Sequence, residues 1–393
     1  MKKTITLLAG LFLIINSFVY GQNTWIQKAI FPGAARYHAV SFAIGNKLYV
    51  GTGWNNSSYY NNFYEYDAST DVWTAKANFP GVARYAASAF SIGSKGYVGC
   101  GRVGSTYYND FYEYNPATDT WTTKANFIGT PRHHPIGFSI GNKGYMGLGQ
   151  DSILRNEMYE YNPSTDVWTQ KTNFGGTARH AAVAFVIDSN AYVGCGYIGG
   201  TTFTNDFWKY NPVTDVWTQI ANYGGNGREH DIGFAIGGLG YVGTGYATTG
   251  DTKDFYEYNP IGNVWTQKAD FGGTVREGAV GVSIGTSGFV ATGWDGSNRK
   301  DLWEYTTVAG IEENSNSMVV TIYPNPSNST ITLQSNVDFK NAEIKITNVL
   351  GEIEIQKSIS SNSIVDVSAL AKGIYFMQVK SGKVFLTKKF IKD

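Results

Sequence analysis

Cysteine is nearly absent from this 393-residue chain, with two residues, and histidine is scarce, with five. Two cysteines cannot build a disulfide framework or a multi-cysteine zinc site. Surplus charge of either sign is also missing, because 31 Lys and Arg balance 31 Asp and Glu. That balance argues against a nucleic-acid partner held through phosphates and against a polybasic membrane anchor. The longest apolar run, Leu7 to Val19, falls short of the roughly 20 residues a membrane span needs, so the mature chain should carry no transmembrane segment. A phosphate loop and an oriented nucleophile are lacking as well, so no cofactor is expected. What is abundant is glycine, at 47, and aromatic residues, at 15%, which together predict many turns and a sizeable core.

The chain opens Met1-Lys2-Lys3, continues through that apolar run and reaches Gly21, the layout of a secretory signal peptide over residues 1–21. Cleavage near Gly21-Gln22 would release an exported protein, and no Cys follows the cut to carry a lipid. From residue 306 the composition shifts: residues 306–319 read as a linker, and residues 320–393 as a Lys-rich domain without tryptophan. Its alternating runs, such as Glu343-Ile344-Lys345-Ile346, predict a small antiparallel β-sandwich of immunoglobulin-like (Ig-like) form.

Four elements of that domain, Tyr323-Pro324-Asn325-Pro326, Asn348-Val349-Leu350-Gly351, Gly373-Ile374-Tyr375-Phe376 and Lys388-Lys389-Phe390-Ile391-Lys392, resemble the type A C-terminal sorting domain of the type IX secretion system. The resemblance implies sorting roles for Pro324, Asn325, Pro326, Gly351, Gly373, Lys388 and Lys389. It also implies that the type IX machinery is a partner, and that the chain passes through the periplasm to the outer-membrane surface or the medium.

Trp25, Trp73, Trp121, Trp168, Trp217 and Trp265 recur every 47 to 49 residues, which marks residues 22–305 as a repeat array. Each unit holds four short strands separated by turn residues, the pattern of a β-propeller blade. Pro135, three residues after Arg132, places the first strand at the inner edge, where a missing N–H is tolerated. Six such units follow Arg36, Arg84, Arg132, Arg179, Arg228 and Arg276, and the last lacks a fourth strand. The N-terminal segment Asn23-Thr24-Trp25 should supply it, giving an all-β, six-bladed ring closed by the N-terminal strand. The leading Arg, the glycines ending the second strand, the Tyr before Asn-Pro or Asp and the fourth-strand Trp resemble the kelch family of propellers. Kelch propellers include binding modules and sugar enzymes with mutarotase, lyase or oxidase chemistry. In place of the usual Gly-Gly pair this chain carries Gly-x-Gly, as in Gly51-Thr52-Gly53.

The six copies differ in length only between the second and third strands, which places recognition on the face where those loops and the Arg segments emerge. The residue after each glycine motif is Trp54, Arg102, Gln150, Tyr197, Tyr246 and Trp294, and Tyr59, Tyr60, Tyr107, Tyr108 and Phe203 add aromatics to the same loops. Such rings suit stacking on glycan or a protein hot spot, or alternatively packing over the blades. The six Arg face third-strand acids in every unit but the first, a pattern expected of structural ion pairs, and the six repeating Trp should pack between blades.

All five His follow these Arg, and His38, His134 and His230 alternate with small residues around the ring. They are candidates for an axial three-His metal site. Strand geometry instead favours histidines packed between blades, so no metal is expected. Glu229 and Glu277, equivalent residues of adjacent units, are candidate acid–base carboxylates. The leading expectation is a non-catalytic secreted or surface-displayed propeller that binds glycan or protein, and the alternative is a carbohydrate-active enzyme on the same face. Cys100 and Cys195, at the same site of units 2 and 4 with a whole unit between them, should be free buried thiols.

Overall fold

The computed structural model describes residues 23–307, 320–335, 342–349, 352–360, 363–381 and 384–393. The signal-peptide segment, most of the linker and Gly351 lie outside the described residues. The chain divides between residues 308 and 309 into two units.

In the first unit, five four-stranded antiparallel sheets follow one another in chain order. Blade 1 consists of Val40–Ile44, Lys47–Gly51, Phe63–Asp67 and Val72–Lys76. Blades 2 to 5 repeat it, starting at Ser88, Ile136, Val183 and Ile232. Blade 6 takes Val280–Ile284, Ser287–Ala291 and Leu302–Thr306 from the end of the unit and Thr24–Lys28 from its start. The register pairs Thr24 with Thr306 and Trp25 with Tyr305, so the N-terminal strand closes the ring.

The six first strands pack side by side around the axis and enclose a channel of about 310 Å³ lined by residues such as Ser41, Ala89, Gly137 and Ser283. Pro135 precedes the strand Ile136–Ile140 rather than lying in it. The inner position of the first strand therefore rests on this packing and not on the proline. The six Arg likewise stand four residues ahead of their strands, in the connections, and do not lead them.

Blades adhere through repeated contacts. First-strand Phe42, Phe90, Phe185 and Phe234 each occupy the space a side chain would need at Gly96, Gly144, Gly240 and Gly288 of the next blade, where an added Cβ would lie 2.2 Å from a ring carbon. Trp73, Trp121, Trp168, Trp217 and Trp265 donate their indole N–H to a main-chain carbonyl at the end of the preceding blade, at 2.8–3.3 Å. The preceding turns hold Asp71, Asp119, Asp166, Asp215 and Asn263 at positive φ, a conformation Asp and Asn tolerate, and each accepts a bond from a buried Tyr hydroxyl.

The closing seam is built differently. Trp25 Nε1 and the Tyr305 hydroxyl are buried without partners. Trp25 instead packs its ring 4.8–5.1 Å from Tyr305, Phe271 and Phe255. Cys100 and Cys195 are both free and buried, and burial pushes the Cys100 thiol up to about 12.

The second unit is a sandwich of a three-stranded and a four-stranded antiparallel sheet around Ile331, Leu333, Ile344, Ile346, Met377 and Phe390. Asn325, between Pro324 and Pro326, accepts a bond from the Ile391 N–H at 2.9 Å and donates to the Lys389 carbonyl at 3.3 Å, which ties the first motif to the last strand. Gly373 opens the strand Gly373–Ser381 and pairs with Lys392, while Lys388 and Lys389 lie within Val384–Lys392.

Because Trp25 supplies the aromatic packing that accompanies the strand pairing at the seam, Trp25→Ala should lower the unfolding free energy of the mature chain by about 3 kcal/mol, in the range of large aromatic truncations. Denaturant unfolding measures this, and an unchanged midpoint would contradict the closure.

Candidate functional site

The site at the channel mouth is set by what precedes it in the chain. Each of the six Arg is at most 1% exposed. Each Nη1 donates to the carbonyl of the middle residue of a Gly-x-Gly motif, Thr52, Cys100, Leu148, Cys195 or Thr244, or of Ala291-Thr292-Gly293 in blade 6, at 2.8–3.0 Å. That middle residue is left-handed in every blade, with φ between 55° and 62°, which turns its carbonyl towards the guanidinium. Asp110, Asp206, Asp254 and Asp301 receive two bonds from their Arg, Glu157 one, and in blade 1 the neutral Asn62 stands in the acid's place. Deprived of a carboxylate and desolvated by burial, Arg36 is lowered to about 10.

Two of the aromatics expected in the binding surface belong to this packing. Tyr60 and Tyr108 cover the guanidinium groups of Arg36 and Arg84, with the cations 4.0 and 4.1 Å from the ring centroids.

The residues after each Arg are carried onto the axis. The first one pairs with the residue following Gly-x-Gly: Tyr37 with Trp54, Tyr85 with Arg102, His133 with Gln150, His180 with Tyr197, Glu229 with Tyr246 and Glu277 with Trp294. Around the mouth this position reads Tyr, Tyr, His, His, Glu, Glu. The second residue, His38, Ala86, His134, Ala181, His230 or Gly278, is left-handed in all six blades, with φ between 49° and 59°. Its N–H donates to the carbonyl of the equivalent residue in the preceding blade, and six such bonds of 2.8–3.3 Å close a ring.

This geometry corrects the expectation that histidines would pack between blades. The second residue is not in a strand, so strand alternation does not direct its side chain. His38, His134 and His230 converge instead, with ring centroids 4.6, 4.3 and 4.6 Å apart. They line a cavity of about 130 Å³ together with Asp231 and small residues.

Charged groups join this cluster. The Glu277 carboxylate lies 2.8 Å from His230 Nδ1, and Glu229 lies 3.3 Å from His180 Nε2 and 3.8 Å from His230 Nε2. Burial opposes ionisation of both Glu229 and His230, yet their mutual attraction wins. Glu229, also beside His180, is held below the usual carboxylate range, and His230, with Glu277 in addition, is raised. Burial lowers His38 and His134 well below the ordinary imidazole value, with neighbouring imidazoles adding to it. Asp231 was not foreseen: burial pushes it up to about 7, against the opposing pull of Arg228. The signal was present, since the third residue after each Arg reads Ala, Ala, Pro, Ala, Asp, Ala.

The rim is aromatic on one side. Trp294, Tyr37, Trp54, Tyr59 and Tyr85 form a continuous stack with successive centroids 5.2–5.9 Å apart. Arg102 bonds the Tyr85 hydroxyl and lies over its ring. Tyr107 stacks on His133, and Tyr197, Phe203 and Tyr246 make a smaller group across the mouth. Tyr246 is exposed, at 39%. Asp295 is engaged by Arg299 and Asp301 by Arg276.

The repeating buried Arg, the Gly-containing turn and the fourth-strand Trp define a kelch-type propeller. A family described as "KLHDC2/KLHL20/DRC7 Kelch-repeats domain" matches residues 21–196, the Kelch motif matches residues 178–222, and the "Secretion system C-terminal sorting domain" matches residues 321–393. The chain is a kelch-repeat β-propeller protein with a type IX sorting domain, which implies engagement of that secretion machinery and export to the cell surface or beyond. A solved structure titled "Structure of YjhT" resembles it in fold, at a TM-score of 0.58 and 15% identity over 75% of this chain and 97% of that one. No curated protein matches the chain. No helix among the described residues is long and apolar enough to cross a membrane.

Asn62 suggests a direct check of the Arg network. Asn62→Asp would give Arg36 the carboxylate that its five counterparts have, and should stabilise the protein by about 1–2 kcal/mol in denaturant unfolding. A destabilised variant would show that blade 1 is built for a neutral partner.

Proposed function

We propose that this exported propeller is a binding module whose channel mouth takes a carbohydrate. The observation that supports the reading is the mixture at the mouth, where an aromatic row running from Trp294 through Tyr37 to Trp54 adjoins imidazoles and the carboxylates of Glu229 and Glu277. A sugar ring has one apolar face to lay on such a stack and hydroxyls to meet acceptors on the other side. The fixed ladder beneath holds both halves rigid before any ligand arrives, which limits the ordering cost of binding.

A glycan array probed with the mature chain tests this beside the Trp54→Ala, Trp294→Ala double variant. Binding at least tenfold weaker in the variant is expected. No binding by the unaltered chain would reject the sugar reading in favour of a protein partner.

One observation favours catalysis as a second reading. His230 stands between Glu277 and Glu229, and His180 continues the chain of groups, so a proton can be given and taken at the mouth. NMR of a bound sugar over time separates the two readings. Under the enzymatic one, Glu277→Gln should abolish conversion and leave affinity within about threefold.

A further inference from the structure

We propose that His38, His134 and His230 form a binding site for one divalent transition-metal ion on the propeller axis, zinc being the probe of choice. The three residues occupy the same position in blades 1, 3 and 5, and their ring centroids make a nearly equilateral triangle. One nitrogen from each lies within 4.8 Å of the others, so small rotations of the rings bring all three onto one ion at the usual zinc–imidazole distance of about 2.0–2.1 Å. The site is empty of protein partners where an ion would sit. His134 Nε2 and His230 Nε2 are buried and bond to nothing.

Their other nitrogens are engaged, as in metal sites where an outer partner fixes the ring. His230 Nδ1 lies 2.8 Å from the Glu277 carboxylate, and His134 Nδ1 lies 2.8 Å from His133 Nδ1. In the tautomer that carries the proton on Nδ1, each Nε2 keeps a lone pair for the ion. Glu229, 3.8 Å from His230 Nε2, adds negative charge next to the ion.

The backbone does not demand histidine here. All six equivalent residues are left-handed, and Ala86, Ala181 and Gly278 close the hydrogen-bonded ring as well as the histidines do. Imidazoles at alternate positions, where alanine or glycine serves the same backbone in the other three blades, fit a chemical requirement better than a structural one. A second trio, His133, His134 and His180, also has converging nitrogens. It takes two residues from one turn whose Nδ1 atoms already face each other, and His180 Nε2 already faces Glu229, so the axial trio is the better-prepared set. Three imidazole ligands, His230 releasing its proton as the ion binds, select zinc or copper over magnesium or calcium, and three protein ligands leave a coordination position open. This inference does not depend on the mouth binding sugar.

The test uses the full mature chain, stripped with chelator and titrated with Zn²⁺ by calorimetry, with bound metal counted by elemental analysis. One equivalent per chain and a rise in melting temperature of several degrees are expected. His38→Ala and His230→Ala should each weaken binding at least 100-fold, while His180→Ala should change it less than tenfold. If an alanine variant fails to fold, His38→Gly serves, since glycine suits the left-handed backbone. Cobalt substitution reads the site independently through visible absorption typical of four-coordinate nitrogen ligation. Absence of stoichiometric binding would overturn the proposal. So would binding that survives replacement of all three histidines, or loss on His180→Ala without loss on His38→Ala.

Discussion

Everything at the channel mouth hangs on a cation that water hardly reaches. A guanidinium in the interior is costly to desolvate, and each of the six is tolerated because a carbonyl, an acid or amide and an aromatic face surround it. To deliver that carbonyl, the residue inside Gly-x-Gly has to turn left-handed, so the glycine motif and the arginine are two halves of one constraint. With the Arg anchored, the next two residues have no freedom to choose their direction. The first enters a short ladder with the loop after Gly-x-Gly, and the second enters the ring of main-chain bonds around the axis. Side-chain identity at these twelve places can then vary without touching the fold, and this is where the repeats diverge most in chemistry.

The repeat period, the blade count, the closing strand and the sorting motifs were legible because they rest on spacing and on residue types with strong backbone preferences. Trp25 at a full repeat length before Trp73 is enough to assign the missing strand. The site was legible only in part. Trp54, Trp294 and the glutamates were singled out as candidates by comparing copies, yet the direction of the histidines was missed, because a left-handed turn inserted between Arg and strand overrides the alternation that a strand would impose. No residue type announces that turn: His, Ala and Gly all adopt it here. Tyr60 and Tyr108 were misplaced for a related reason. An aromatic near a loop looks the same in sequence whether it faces solvent or lies over a buried cation. Asp231 is the opposite case, one acid in a column of small residues, and sequence comparison could have singled it out.

Export adds a condition to the fold. The sorting domain carries its own core, so the address and the propeller are built from separate hydrophobic clusters. Within the sorting domain, the Asn325 side chain ties the opening motif to the final strand, so elements far apart in sequence occupy one end of one sandwich.

The closing strand has a kinetic meaning as well. Thr24 and Thr306 are 282 residues apart in the chain, and joining ends so distant costs about 5 kcal/mol in chain entropy before the pair contributes anything. Blade 6 is therefore the last to complete, and until then Leu302–Thr306 offers a bare edge whose register is written for one particular partner sequence. A neighbouring copy carries that same sequence. Strand exchange between two unclosed rings satisfies every bond that self-closure does, so crowding during folding favours swapped dimers and longer chains of rings, and prompt intramolecular capture of Trp25 removes the bare edge before a neighbour can take it.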